Sequence, residues 1–219
     1  MQYKGVIFDF DGTLIDSEEG IACAFQMALK SKGIAEDLEV IRGLIGPPLT
    51  RTIITKYKLS EEDGAQAMEI HRKYYQEIGA LQSKLYPNIK DLLTSLKKMG
   101  AKMMIATNKP ESLAFMQIKH YDIGHYFHAI VGNNDLQTRG SKADFIRIAS
   151  KDVGVDKSQL LMVGDRYNDI EAGKEVGLDT IGVTYGYGSL EEIQGTHATY
   201  IVNDPMEIVE IVKGTKEKK

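Results

Sequence analysis

The chain carries a single cysteine, Cys23, among 219 residues, which excludes an intrachain disulfide and fits a reducing compartment. No apolar run is long enough to span a bilayer, and Met1-Gln2-Tyr3-Lys4 leads straight into a strand pattern. Neither secretion nor membrane insertion is therefore expected, and a cytoplasmic protein is. Basic surface is also lacking. The 27 Lys and Arg are interspersed with 31 Asp and Glu for a net charge of −4, so nothing suggests binding to nucleic acid or an anionic membrane. The one block of like charge, Lys213 to Lys219, reads as a frayed, solvated end. Internal repeats and low-complexity segments are absent. The five histidines (His71, His120, His125, His128, His197) lack metal-ligand spacing and read as surface or partly packed residues. What is present is enough apolar residue, 42%, to bury a substantial core in one large domain or two small ones.

Gly5 to Phe8, Lys102 to Ala106, Ala129 to Val131, Leu160 to Val163 and Thr180 to Val183 read as short buried parallel strands. Helical patterns alternate with them. Ile89/Leu92/Leu93/Leu96 lie on one helix face, with Pro87 suited to the first turn and Gly100 to the end, and Ala143 to Val153 and Ile170 to Val176 add further segments. The expectation is an α/β fold with a doubly wound parallel sheet of five strands, extendable by Tyr200-Ile201-Val202. Residues 16–81 break this rhythm with three helical stretches: one marked by Ile21/Phe25/Ala28/Leu29, one from Pro48 to Tyr57, and one from Ser60 to Ile78. A structureless insertion of that length is improbable in a compact domain. The reading is a core domain of residues 1–15 and 82–219 with a helical domain, 16–81, inserted after the first strand.

Two aspartates sit one residue apart where the first apolar run stops: Val6-Ile7-Phe8-Asp9-Phe10-Asp11-Gly12-Thr13. Open α/β sheets place ligands at the C-terminal ends of their strands. Strand geometry points Asp9 and Asp11 the same way while Phe10 turns inward, and Gly12 allows close backbone approach to an anion. Three more segments follow predicted strands: Thr107-Asn108, Lys142 at the start of a helix, and Gly164-Asp165 through Asp169. All can converge on one sheet edge. Two carboxylates about 4 Å apart repel by roughly 4 kcal/mol at an effective dielectric of 20, so the cluster needs a proton, a cation or both. A hard, all-oxygen site with room for phosphate favours Mg2+.

Asp9-Phe10-Asp11-Gly12-Thr13, Thr107, Lys142 and Gly164-Asp165 to Asp169 resemble, in order and across essentially the whole chain, the four motifs of the haloacid dehalogenase superfamily. The likeness is to its phosphatases with a helical cap after the first motif. It implies that Asp9 attacks phosphorus to form an aspartyl-phosphate, and that Asp11 protonates the leaving oxygen and then deprotonates water. Gly12, Thr107, Asn108 and Lys142 would bind phosphate oxygens. Mg2+ would be held by the Asp9 carboxylate, the Asp11 carbonyl and the Asp165 carboxylate, with Asp169 behind them. Arg42-Gly43-Leu44-Ile45-Gly46-Pro47-Pro48-Leu49 resembles the loop overhanging the pocket in phosphoglycolate phosphatases and related nucleotidases and pyrophosphatases, which makes Arg42, Gly46 and Pro47 candidate substrate contacts.

The resemblance thus implies a Mg2+-dependent phosphatase for a small phosphorylated metabolite, phosphoglycolate or a nucleoside monophosphate first. A pyrophosphatase or sugar-phosphate phosphatase is the alternative within the superfamily. A noncatalytic phosphometabolite sensor is the alternative from another class, disfavoured because Asp9 and Asp11 are both intact. Dehalogenases lack the second aspartate of the first motif, and no histidine occupies Glu18 to Ala24 as it would in the hexose phosphate mutases. Monomer and homodimer both remain open. Gly186-Tyr187-Gly188 is too poor a glycine pattern for a dinucleotide and reads as a mobile surface loop.

Overall fold

Residues 1–45, 49–134 and 138–216 are described in the computed structural model. In chain order the strands are β1 (Gly5–Phe8), β2 (Ile15–Asp16), β3 (Lys84–Leu85), β4 (Lys102–Pro110), β5 (Phe127–Asn133), β6 (Leu160–Gly164), β7 (Asp179–Val183) and β8 (Tyr200–Val202). The helices are α1 (Glu18–Ser31), α2 (Leu38–Arg42), α3 (Leu49–Thr55), α4 (Glu61–Glu77), α5 (Ile89–Lys98), α6 (Glu111–His120), α7 (Lys142–Ser150), α8 (Tyr167–Val176), α9 (Leu190–Gly195) and α10 (Met206–Lys213). No described helix is long and apolar enough to cross a membrane.

Two compact units result, one of residues 1–15 and 85–219, the other of 16–84. In the first, six strands form one sheet in the order β5-β4-β1-β6-β7-β8, every pair parallel. Tyr200–Val202 is the sixth strand. Period-two alternation explains why both faces are covered. Val6, Phe8, Ile105 and Val163 enter one apolar cluster with α5 and α10, whereas Ile7, Met104 and Met162 enter another with α7 and α8. Strands buried on both faces are what βαβ crossovers demand.

The register brings the site together. Phe8 lies level with Ile105 on one side and Val163 on the other, and the Asp9 N–H extends the ladder to the Val163 carbonyl at 2.8 Å. β1 and β6 therefore end side by side, so Asp9 and Asp165 emerge at the C-terminal edge next to β4, which runs on to Pro110.

The second unit buries Phe25, Leu29, Ile41, Ile53 and Ala67 in a core of its own. Ser60 caps α4, its Oγ accepting from the Asp63 N–H at 3.1 Å. The unit extends to Lys84 rather than ending at Leu81. Gly20 of α1 packs so tightly on the Gly79–Leu81 turn that a Cβ there would come within 1.9 Å of the Gly79 carbonyl, and the Gly20 N–H donates to the Gln82 carbonyl. The helix expected from Pro48 to Tyr57 is α3, Leu49–Thr55, with Pro48 outside the described residues. Of the basic tail, Lys213 pairs with Glu210 and Lys216 with Glu207, and residues 217–219 lie outside the described residues.

Candidate active site

Asp9 stands at the centre of a buried ionic cluster. Lys142 Nζ lies 2.6 Å from its Oδ1 and 2.8 Å from Asp169 Oδ1. One ammonium thus pairs with two carboxylates. Lys142 is the first residue of α7, where the helix dipole opposes a cation. The helix start is secured instead by a capping box between Ser141 and Asp144, and the carboxylates opposite supply the negative charge that the lysine needs. Asp169 sits in the first turn of α8, where an acid suits the dipole, and its Oδ2 accepts from the Arg166 N–H at 3.1 Å.

Asp165 directly follows β6 and is fully buried. Its Oδ1 accepts from the Thr13 hydroxyl at 3.1 Å and its Oδ2 from the Tyr187 N–H at 2.9 Å. This corrects the reading of Gly186-Tyr187-Gly188 as a mobile surface loop. A Cβ on Gly186 would come within 2.2 Å of the Gly12 carbonyl, and one on Gly188 within 2.0 Å of the Asp165 carbonyl. The loop is a wall of the site, built of glycine because the backbones touch. Tyr185 ties it down further, its hydroxyl donating to the Thr13 carbonyl at 3.1 Å.

One carboxylate oxygen each from Asp9, Asp165 and Asp169 lies within 4.8 Å of the others, which costs about 3 kcal/mol or more per ionised pair at an effective dielectric of 20. Burial and the Asp169 charge push the Asp9 carboxyl up to about 7, against the pull of Lys142. Burial, then Asp169 and Asp9, push Asp165 up to about 8. Burial alone would lower the Lys142 ammonium, but Asp169 and Asp9 outweigh it and hold it above the usual lysine range. Three carboxylates facing one ammonium leave two negative charges unmatched. A hard divalent cation suits such an oxygen set, so the residues present fit Mg2+. Asp169, expected behind the other two acids, offers one oxygen to the same group. Among the described residues no histidine joins this group.

The remaining expected residues fall as follows. Asp11 is a quarter exposed and accepts from Lys109 Nζ at 2.8 and 3.0 Å. Gly12 has φ +82°, and a Cβ there would strike Asp165. Thr107 and Asn108 lie within β4, not beyond its end, Thr107 buried and Asn108 exposed. Arg42 is in the helical unit, paired with Glu18, Glu19 and Glu39, so an anionic ligand there would have to displace carboxylates. Gly46 and Pro47 lie outside the described residues. Sequence reasoning missed Lys109, Thr13 as partner of Asp165, and the Tyr185 to Gly188 wall.

The sequence model of the haloacid dehalogenase-like hydrolases matches residues 6–183. A 5'-nucleotidase of Pseudomonas aeruginosa is 33% identical over 93% of both chains, and a phosphoglycolate phosphatase of Vibrio vulnificus is 29% identical over 96% of both. The crystal structure of a Clostridium difficile protein assigned as a phosphatase superposes with a TM-score of 0.93 at 41% identity, covering 97% of this chain and 99% of that one.

Proposed function

The chain belongs to the haloacid dehalogenase-like hydrolase family, and on that premise we propose that it hydrolyses a small phosphate monoester, with Asp9 as the nucleophile. The observation that carries this reading is the Asp9 carboxylate itself, held between Lys142 and the Asp165–Asp169 pair at the C-terminal end of the central strand. The names of the relatives make phosphoglycolate and nucleoside monophosphates the first substrates to try.

Asp9 attacks phosphorus, forming an aspartyl-phosphate as the bond to the leaving oxygen breaks. Asp11 gives that oxygen a proton and then takes one from the water that cleaves the intermediate, so the enzyme ends as it began. Lys142 orients Asp9 and offsets the charge of the phosphoryl oxygens, and the Thr107 hydroxyl donates to one of them. Asp9 and Asp165, with the Asp11 carbonyl and Asp169 beside them, would hold Mg2+. When bound, the cation supplies the charge that keeps these acids ionised and offsets the phosphoryl oxygens.

The direct test is phosphate release from an aryl phosphate and a panel of phosphorylated metabolites, with and without Mg2+. Turnover that depends on Mg2+ supports the reading, and none with any ester or cation refutes it. Asp11→Asn is expected to lower kcat by about 10²-fold or more for alkyl phosphates and far less for aryl phosphates, whose leaving groups need no proton. Equal losses on both would remove Asp11 from that role. Gly188→Ala, which drives a methyl into the Asp165 carbonyl, is expected to weaken Mg2+ binding about 10- to 100-fold, read by calorimetric titration. Unchanged affinity would show that the loop does not set the Asp165 position.

A further inference from the structure

The cluster around Asp9 does not account for the second buried lysine of the site. Lys109 has only 3% of its side chain exposed, yet it comes from a stretch whose apolar run already ends at Ala106. Its place is made by a bulge. Ala106 pairs with Val131 and Pro110 with Asn133, so residues 107–109 of β4 oppose Gly132 alone, and such bulges re-aim side chains beside functional sites. Gly132 has no room for a side chain, since a Cβ would come within 2.6 Å of the Lys109 carbonyl. The Thr107 hydroxyl accepts from the Lys109 N–H at 3.2 Å. With its N–H held by Thr107 and its carbonyl packed close to Gly132, Lys109 sends its ammonium to both oxygens of Asp11, at 2.8 and 3.0 Å, and 5.6 Å from the Phe10 ring centroid.

We infer that Lys109 is the positioning residue of Asp11, fixing the plane and direction of its carboxylate so that the proton is delivered where the leaving oxygen departs. The assignment rests on the proposed phosphatase reading, in which Asp11 carries that proton. A short side chain on a turn otherwise samples several rotamers, and small misplacements of a reacting group cost orders of magnitude in rate. Two contacts from one buried ammonium remove that freedom in the carboxylate; when Asp11 takes up its proton, the ammonium stays on one oxygen and the other carries the hydrogen toward the leaving oxygen. The same lysine also explains why the bulge and Gly132 accompany Thr107: one irregularity in β4 sets the phosphate-binding hydroxyl and the support of the acid together. A cation that bound substrate directly would instead act on affinity, and the two roles separate kinetically.

The test is a double-variant cycle on the intact protein, using Lys109→Met, Asp11→Asn and both together, with one alkyl and one aryl phosphate as probes. Lys109→Met is expected to lower kcat for the alkyl ester by about 10-fold or more, to spare the aryl ester, and to leave KM nearly unchanged for both. Lys109→Arg is expected to keep more alkyl activity than Lys109→Met. In the Asp11→Asn background, loss of Lys109 is expected to add nothing. Additive losses, or a raised KM with equal loss on both esters, would overturn the assignment and make Lys109 a substrate-binding cation. If Lys109→Met does not fold, Asp11→Asn against the double variant still decides, since the double variant leaves no unpaired charge. A wild type that splits neither ester would sink the phosphatase reading and this one together; a wild type that splits both, with additive losses, would sink this one alone.

Discussion

Asp9→Asn is expected to lower kcat by about 10⁴-fold or more for every substrate, because an amide cannot attack phosphorus as a carboxylate does. The fold should survive. Asp9 sits at the end of β1 with its backbone N–H already committed to Val163, and the variant keeps side-chain size while removing one of three crowded acids. In chelator at pH 8 the melting temperature of the variant is therefore expected to equal or exceed that of the wild type. Lys142 retains Asp169 as its partner. A variant that keeps appreciable turnover would exclude covalent catalysis by Asp9. One that is inactive but strongly destabilised would show that the cluster is structural.

Removing divalent cations is expected to lower turnover by about 10³-fold or more, and to leave a signature in stability independent of turnover. In the metal-free protein Asp9 is raised to about 7 and Asp165 to about 8, from ordinary values near 3.8. The folded state therefore prefers these groups protonated. Their contribution is fully present below the unfolded value and is lost as pH rises through the folded ones. Melting temperature in chelator should fall between pH 7 and 8.5. His71, whose burial lowers it to about 4, stays neutral across that window and does not obscure the trend. Added Mg2+ should raise the melting temperature more at pH 8.5 than at pH 7, since the ion competes with protons for the same oxygens. A stabilisation by Mg2+ that is flat across this window would mean the ion binds elsewhere.

The sheet was readable because strands buried on both faces are bare apolar runs, and because acids placed just after such runs must share one edge. Phe10 turns inward, fully buried, as its position between two acids predicts. What escaped was fixed by tertiary contact. The apolar signal of β4 stops at Ala106, while the strand continues through a bulge that only Gly132 on the neighbouring strand makes possible, so Lys109 gave no sign of burial. Gly186 and Gly188 look like flexible punctuation until the Gly12 and Asp165 backbones are seen against them. α6 escaped for a different reason: its buried face, Leu113, Ala114, Gln117 and Ile118, includes a glutamine and has little amphipathic contrast. The extension of the helical unit to Lys84 follows from Gly20 lying against Gly79, a contact between residues far apart in the chain.

Acid quenching of the enzyme during turnover of its best phosphate ester, followed by peptide mass spectrometry, addresses the role of Asp9 without intermediaries. One phosphoryl group on the peptide containing Asp9, absent from Asp9→Asn and lost once the ester is exhausted before quenching, is the predicted result. Rapid turnover with no phosphorylated enzyme at any quench time, or a phosphoryl group on another residue, would contradict it.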